Sequence, residues 1–449
     1  MTEPHTTGSA LFAGVANVDT TPKLGTDLGG YFTSRISDSI ERRLYAKALA
    51  LRSADTTLLL ISVDIIMMRA CDIVTEAKQR ITDSTGIPAS HIMISATHTH
   101  NGPATIARPG GPQVDPDYLR TVTAAIHRAA VGAVTTLVPA QLAVGQSEVT
   151  GVCFNRRYRR TDGLVDWNPG RGRDDIVEPA GPIDPTVTAI LVEDLAGRPL
   201  ALWSNLSLHY VNADSPTAIS SDYYGAFDEQ VRKTLGPTLH SQLTNGCSGD
   251  INNIDLSDAV PVQGAARADL VARSVLGAAL SASTMARRHR EVALSSQLTM
   301  LPLDRVTVTD DDLAIAAQVI AGEREDAPFS YVKGMPIPAN RAIHYARRLQ
   351  VLAELPDTAE APIMAMTIGD LAIVGLPGEI FVEHGLAIRA GSRYAQTAMI
   401  GLANDHVGYV PTLRAYDEGN YETWRDSISW TAPGAGEAMV RAALQLVGG

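Results

Sequence analysis

Residues 95–103 read Ser-Ala-Thr-His-Thr-His-Asn-Gly-Pro. His98 and His100 stand two apart, just after an apolar run at 91–95 that reads as a buried strand. On an extended backbone that spacing puts both imidazoles on one face. Asn101-Gly102-Pro103 then turns the chain. Two imidazoles at a strand end suit a transition metal, although such a pair alone is as readily two hydrogen-bonded histidines. Two further residues widen the set. His209 follows a strand-like run at 200–203, and Glu379 follows another at 371–374 and the break Pro377-Gly378. Three nitrogen or oxygen ligands plus water is the usual make-up of a catalytic zinc site.

Strands and helices must position these residues, and the hydrophobic pattern supplies both. Residues 45–52 and 57–64 read as adjacent strands joined at Ser53-Ala54-Asp55, the second apolar enough to be buried on both faces. Residues 70–84 and 117–138 show apolar positions three and four apart, as amphipathic helices do. Two more strands are expected within 187–205, helices over 225–235 and 265–282, and a hairpin over 361–376 turning at Gly369-Asp370. Glu379 is expected to open a helix running to about Arg393. Long loops are expected at 108–116, 155–185 and 323–340; the second carries six arginines and reads as a surface excursion. The pattern predicts an α/β fold with a mixed central β-sheet flanked by helices. A disordered tail is expected over 1–11 and a single domain over 12–449.

Composition sets the bounds. The 449 residues are 45% hydrophobic and carry a formal net charge of −12, which argues against a nucleic-acid partner. Cys71, Cys153 and Cys247 form no disulfide framework and no cysteine-rich metal motif. The polar N-terminus lacks a signal-peptide pattern, and no run reaches the ~18 apolar residues of a membrane span. A soluble, cytoplasmic protein with a small-molecule substrate is expected. The sequence sets no oligomeric state.

The motifs fall in a telling order: Gly14-Val-Ala-Asn-Val-Asp-Thr-Thr-Pro, the Ser-Ala-Thr-His-Thr-His block, Leu208-His-Tyr, Asn245-Gly-Cys-Ser-Gly-Asp-Ile-Asn-Asn, Pro377-Gly-Glu and Asn404-Asp-His-Val-Gly-Tyr-Val-Pro-Thr. Together they resemble the catalytic domain of the neutral ceramidase family, from about residue 12 to 430. The resemblance implies one catalytic zinc held by His98, His209, Glu379 and Tyr409. Taken singly, His209 reads as a core histidine, Glu379 as a first-turn helix residue favoured by the macrodipole, and Tyr409 as a packed aromatic. The resemblance places His100 behind the ligands, orienting the attacking water or stabilising charge on the attacked carbonyl. Asp19 and Asp64 match acidic positions of the family, and Asp64 is a candidate partner for a ligand histidine. Arg156 matches a substrate-facing element, and Tyr416 and Tyr421 fall where the family places active-site tyrosines. No counterpart of the family's C-terminal immunoglobulin-like domain is expected after Gly434.

One departure bears on mechanism. Asn252 occupies the position of a family serine that has been given nucleophilic or hydroxyl-binding roles. An amide cannot be that nucleophile, whereas attack by water activated on zinc survives the change. Low aromatic content, 5%, points to a substrate smaller or more polar than ceramide, and the arginines at 155–173 to a polar or anionic one. The expected activity is zinc-dependent hydrolysis of an amide-type N-acyl bond. Hydrolysis of an ester or lactone, or metal binding without turnover, stays open.

Overall fold

The computed structural model describes residues 8–258, 261–332 and 335–448. Residues 1–7 of the expected tail, and 333–334 of the expected third loop, lie outside the described residues. Ser9–Leu11, expected in the tail, instead open the strand Ser9–Asp19, and the Leu11 side chain is buried between two sheets.

The main sheet runs in the order His240–Asn245, Pro199–Leu206, Thr186–Asp194, Val138–Glu148, Ser9–Asp19, Tyr45–Ser53, Thr56–Val63, Ile92–Ala96. Its inner pairings are antiparallel, while the outermost pair at each end is parallel. The side-chain alternation explains the layers on either side. Along Tyr45–Ser53, Ala46, Ala48 and Ala50 face the helix Pro116–Thr135, whose buried face includes Val122, Ile126 and Ala129. Leu49 and Leu51 face the other way, onto Met364, Met366 and Ile373 of a second sheet. That sheet is ordered Leu294–Asp304, Thr358–Ile368, Leu371–Gly375, Gln396–Ile400, and the helices Val382–Gly391 and Ala435–Val447 cover its far side.

The expected α/β fold with a mixed sheet is present, with helices on one face and a second sheet on the other. This explains the near-continuous apolar runs, since strands buried on both faces need no polar alternation. The expected strands at 45–52, 57–64 and 187–205, the hairpin at 361–376, and the helices at 117–138 and 265–282 all form, with ends shifted by a few residues. The helix expected over 70–84 begins with a widened turn at Ala70–Val74, and its regular part is Thr75–Thr85. The expected helix at Glu379 does not form there. Glu379–Ile380 is a short strand paired in parallel with Tyr409–Val410, and the helix starts at Val382. Among the described residues, no helix is long and apolar enough to cross a membrane.

Three parallel pairs end on the same side of the molecule. His98 lies two residues past Ile92–Ala96, His209 three past Pro199–Leu206, and Glu379 four past Leu371–Gly375. The carboxyl ends of parallel strands are where open α/β sheets place their ligands.

Candidate metal centre

His98 reaches the centre by an unexpected route. Its backbone is left-handed, φ 69°, so the pair does not converge by strand alternation. Such a conformation costs a non-glycine residue on the order of 1–3 kcal/mol and persists only where the surroundings impose it. The turn swings both rings inward. His98 Nε2 lies 3.2 Å from His209 Nε2 and 3.3 Å from His100 Nε2, and all three residues are buried.

The outer nitrogens separate their roles. His98 Nδ1 lies 2.7 Å from the Ile66 carbonyl and His209 Nδ1 3.3 Å from the Ser248 carbonyl. A carbonyl accepts only from N–H, so these contacts put the proton on Nδ1 and leave Nε2 as a bare lone pair in the cluster. Metal-ligating histidines are usually anchored in this way. His100 Nδ1 is buried without a partner, and its ring stacks on Tyr210 at 3.6 Å between centroids. His100 therefore lacks the anchor that the other two share. Burial, with His98 and His209 nearby, holds its pKa well below the ordinary value. Burial, with Arg156 and His98, does the same to His209. Both rings are thus neutral near pH 7, the form that donates a lone pair.

Glu379 closes the cluster. Its Oε2 lies 3.3 Å from His98 Nε2 and 3.8 Å from His209 Nε2, and it accepts no hydrogen bond. Burial would raise its pKa, but His98, His406 and His209, whenever they carry protons, hold it well below the carboxylate range. Tyr409 is brought alongside by the parallel register that matches it to Glu379, and it lines the same cleft. An ionised carboxylate oxygen beside two bare imidazole nitrogens is a donor set without a proton to share. Two ligands about 2.0–2.1 Å from a tetrahedral zinc lie roughly 3.3 Å apart; His98 lies at 3.2–3.3 Å from His209, His100 and Glu379, and His209 at 3.8 Å from Glu379. The residues present fit a zinc ion.

Arg156 is 3% exposed, not on the surface as its loop was expected to be. Its Nε donates to Glu422 Oε1 at 2.9 Å, its Nη1 lies 3.4 Å from His209 Nε2, and its guanidinium sits 5.3 Å from the Tyr409 ring centroid. Arg157 is also inside, donating to Glu422 Oε2 at 2.8 Å. Arg159, Arg160 and Arg173 pair with Glu418, Asp162 and Asp166 respectively. Five of the six arginines are therefore tied to the protein's own carboxylates, and Arg171 donates to the Asp255 carbonyl, which removes the stretch as a sign of an anionic substrate.

Asn252 is not brought into the cluster. Its amide donates to Asn168 Oδ1 at 2.5 Å and accepts from the Ile254 N–H at 3.0 Å. Asp64 holds no ligand histidine; it accepts from the Tyr45 N–H, and the Ile66 carbonyl anchors His98 instead. Asp19 lies at an exposed turn, paired with Arg43. Tyr421 lines the cleft and stacks on Trp167, whereas Tyr416 packs against Tyr331.

Four residues near the site were not singled out from sequence. His406 Nε2 lies 3.6 Å from Glu379 Oε1, and its place three residues before Tyr409 was the available signal. Arg35 donates to the His100 carbonyl at 2.5 Å, and Tyr210 stacks on the His100 ring. Glu422 anchors Arg156.

The family model described as neutral/alkaline non-lysosomal ceramidase, N-terminal, matches residues 12–248. That span contains His98, His100, Arg156 and His209, while Asn252, Glu379 and Tyr409 lie beyond it. Among solved structures, the chain is similar to neutral ceramidase from Pseudomonas aeruginosa, at 17% identity and a TM-score of 0.73 over 97% of this chain and 74% of that one. It is also similar to a ceramidase complexed with C2, at 17% identity and a TM-score of 0.74 with the same coverage. At that identity the likeness shows a shared fold. No curated protein sequence matches the chain.

Proposed function

The chain belongs to the neutral/alkaline non-lysosomal ceramidase family, and from that premise we propose a zinc-dependent hydrolase that cleaves an amide-type N-acyl bond in a compound smaller or more polar than ceramide. The observation that carries this reading is the pairing of two carbonyl-anchored imidazoles with an unpartnered buried carboxylate oxygen. His98, His209 and Glu379 hold the metal, with Tyr409 as the fourth protein ligand. Zinc bound there would polarise a carbonyl and lower the pKa of a water to about 7.

The chain's own residues supply the rest. Ile66 and Ser248 fix the ligand tautomers through their carbonyls. His100, neutral and with a free Nδ1, is placed to take a proton or to stabilise charge on the attacked carbonyl oxygen. Arg156 faces the substrate side of His209, and its buried Nη2 has no partner. The local bonding of Asn252 supports a route without a nucleophile at that position.

The test is hydrolysis of matched N-acyl amides and esters, short to long chain and including ceramide, with and without a zinc chelator. Chelator-sensitive amide cleavage favouring the shorter or more polar compounds is the expected result. Cleavage of esters alone would replace the amidase reading with an esterase one.

A further inference from the structure

Outside the histidine cluster, the cleft carries more cationic charge than its carboxylates balance. Arg348, on the helix Ala339–Glu354, lines the cleft and is 1% exposed. Its Nη1 donates to Asp426 Oδ2 at 2.8 Å. Its Nε and Nη2 are buried with no hydrogen-bond partner. Those two atoms form one edge of the guanidinium, the edge that grips a carboxylate in two parallel bonds. Arg108 lines the same cleft and, among the described residues, donates only to Met67 Sδ, at 3.5 Å. Arg341 lies over the rings of Trp167, Phe32, Tyr421 and Trp424, at 4.9 to 5.9 Å from their centroids. Among the described residues, neither Arg108 nor Arg341 has a carboxylate within ion-pair distance, in contrast to the arginines at 156–160. A buried guanidinium edge left unmet is costly, and a ligand that fills it recovers that cost.

We propose that this cleft recognises a carboxylate on its substrate. The acid group docks on the Nε/Nη2 edge of Arg348, with Arg108 as the second cation and Arg341 at the aromatic wall. The inference rests on the amidase reading and narrows it, to compounds such as N-acylated amino acids that carry a free carboxylate as well as the scissile amide. A neutral sphingolipid offers this edge no anionic bidentate acceptor.

The test is calorimetric binding to the zinc-loaded full chain. The probes are the ketomethylene isosteres of N-octanoylglycine, of N-octanoylglycinamide and of the matching phosphonate. None of these is hydrolysed, so the result stands apart from whether the enzyme cleaves amides. Turnover of N-octanoylglycine itself checks that reading separately. The acid should bind about tenfold or more tightly than the amide. Arg108→Gln and Arg348→Gln should each erase most of that preference. Arg108 has no carboxylate partner to strand, so its variant keeps the fold and carries the test even where Arg348→Gln does not. Equal binding of acid and amide would overturn the proposal, as would a preference that survives Arg108→Gln. Tighter binding of the phosphonate than of the acid would overturn the carboxylate assignment.

Discussion

At the scale of single residues, the histidines of the cluster differ in their anchoring. His98 and His209 give their outer N–H to carbonyls and His100 does not. His100→Gln should therefore keep stoichiometric zinc while kcat falls about 100-fold or more, as loss of a general acid or base does. Zinc lost from that variant would make His100 a ligand. Asn252→Ser should also leave the metal in place, because Asn252 bonds to Asn168 and Ile254 and not to the cluster. His98, His209 and Glu379, the proposed ligands, were legible because each follows a strand-like run inside a distinctive motif. Their partners were not. Arg156 and Glu422 meet across 266 positions, and the anchor of His98 is a backbone carbonyl that no side-chain pattern marks.

At the scale of elements, the site depends on short pairings that local sequence does not announce. The run after Pro377-Gly378 has helical character, yet Glu379–Ile380 pairs with Tyr409–Val410 before the helix begins. Tertiary pairing overrides local preference there, since the Glu379 N–H is given to the Gly408 carbonyl. Gly408 sits at φ 86°, and a Cβ on it would lie 2.3 Å from Ser429 Cα. Gly408→Ala combines backbone strain with overpacking and should destabilise the protein by about 2–5 kcal/mol. It should weaken zinc binding as well, because it separates Glu379 from Tyr409. Denaturant midpoints together with zinc titration check this; an unchanged metal affinity would show that the pairing does not set the site. The strands at 45–53, 56–63, 186–194 and 199–206 were read from sequence with little error because burial on both faces leaves uniform apolar runs, whereas Ser9–Asp19, Val138–Glu148 and Leu294–Asp304 were not read as strands.

At the scale of the whole molecule, a two-sheet sandwich buries polar groups beneath the site, and this has a consequence for stability. Burial pushes the Asp64 pKa up to about 6 from an ordinary 3.8, against the pull of Lys47. Between those values the native state keeps a proton that the unfolded chain has lost, so stability falls as pH rises from about 4 to about 6 and the penalty is constant above. Its ceiling is roughly 3 kcal/mol. Asp64→Asn should remove the penalty while keeping an acceptor for the Tyr45 N–H. The variant should therefore gain on the parent in urea denaturation from pH 4 to pH 8; metal loss at low pH affects both and cancels. Parallel profiles would contradict the shift. The second sheet itself was not legible, because apolar alternation shows that a face is covered and not by what.

The central claim is that zinc bound by His98, His209 and Glu379 carries out the hydrolysis. Its most direct test is the zinc-to-protein ratio of wild type and His98→Ala, read with N-acyl amide hydrolysis on the same samples. One zinc per chain is expected in the wild type, and neither zinc nor hydrolysis in the variant. A zinc-free His98→Ala protein that still cleaves the amide would contradict it.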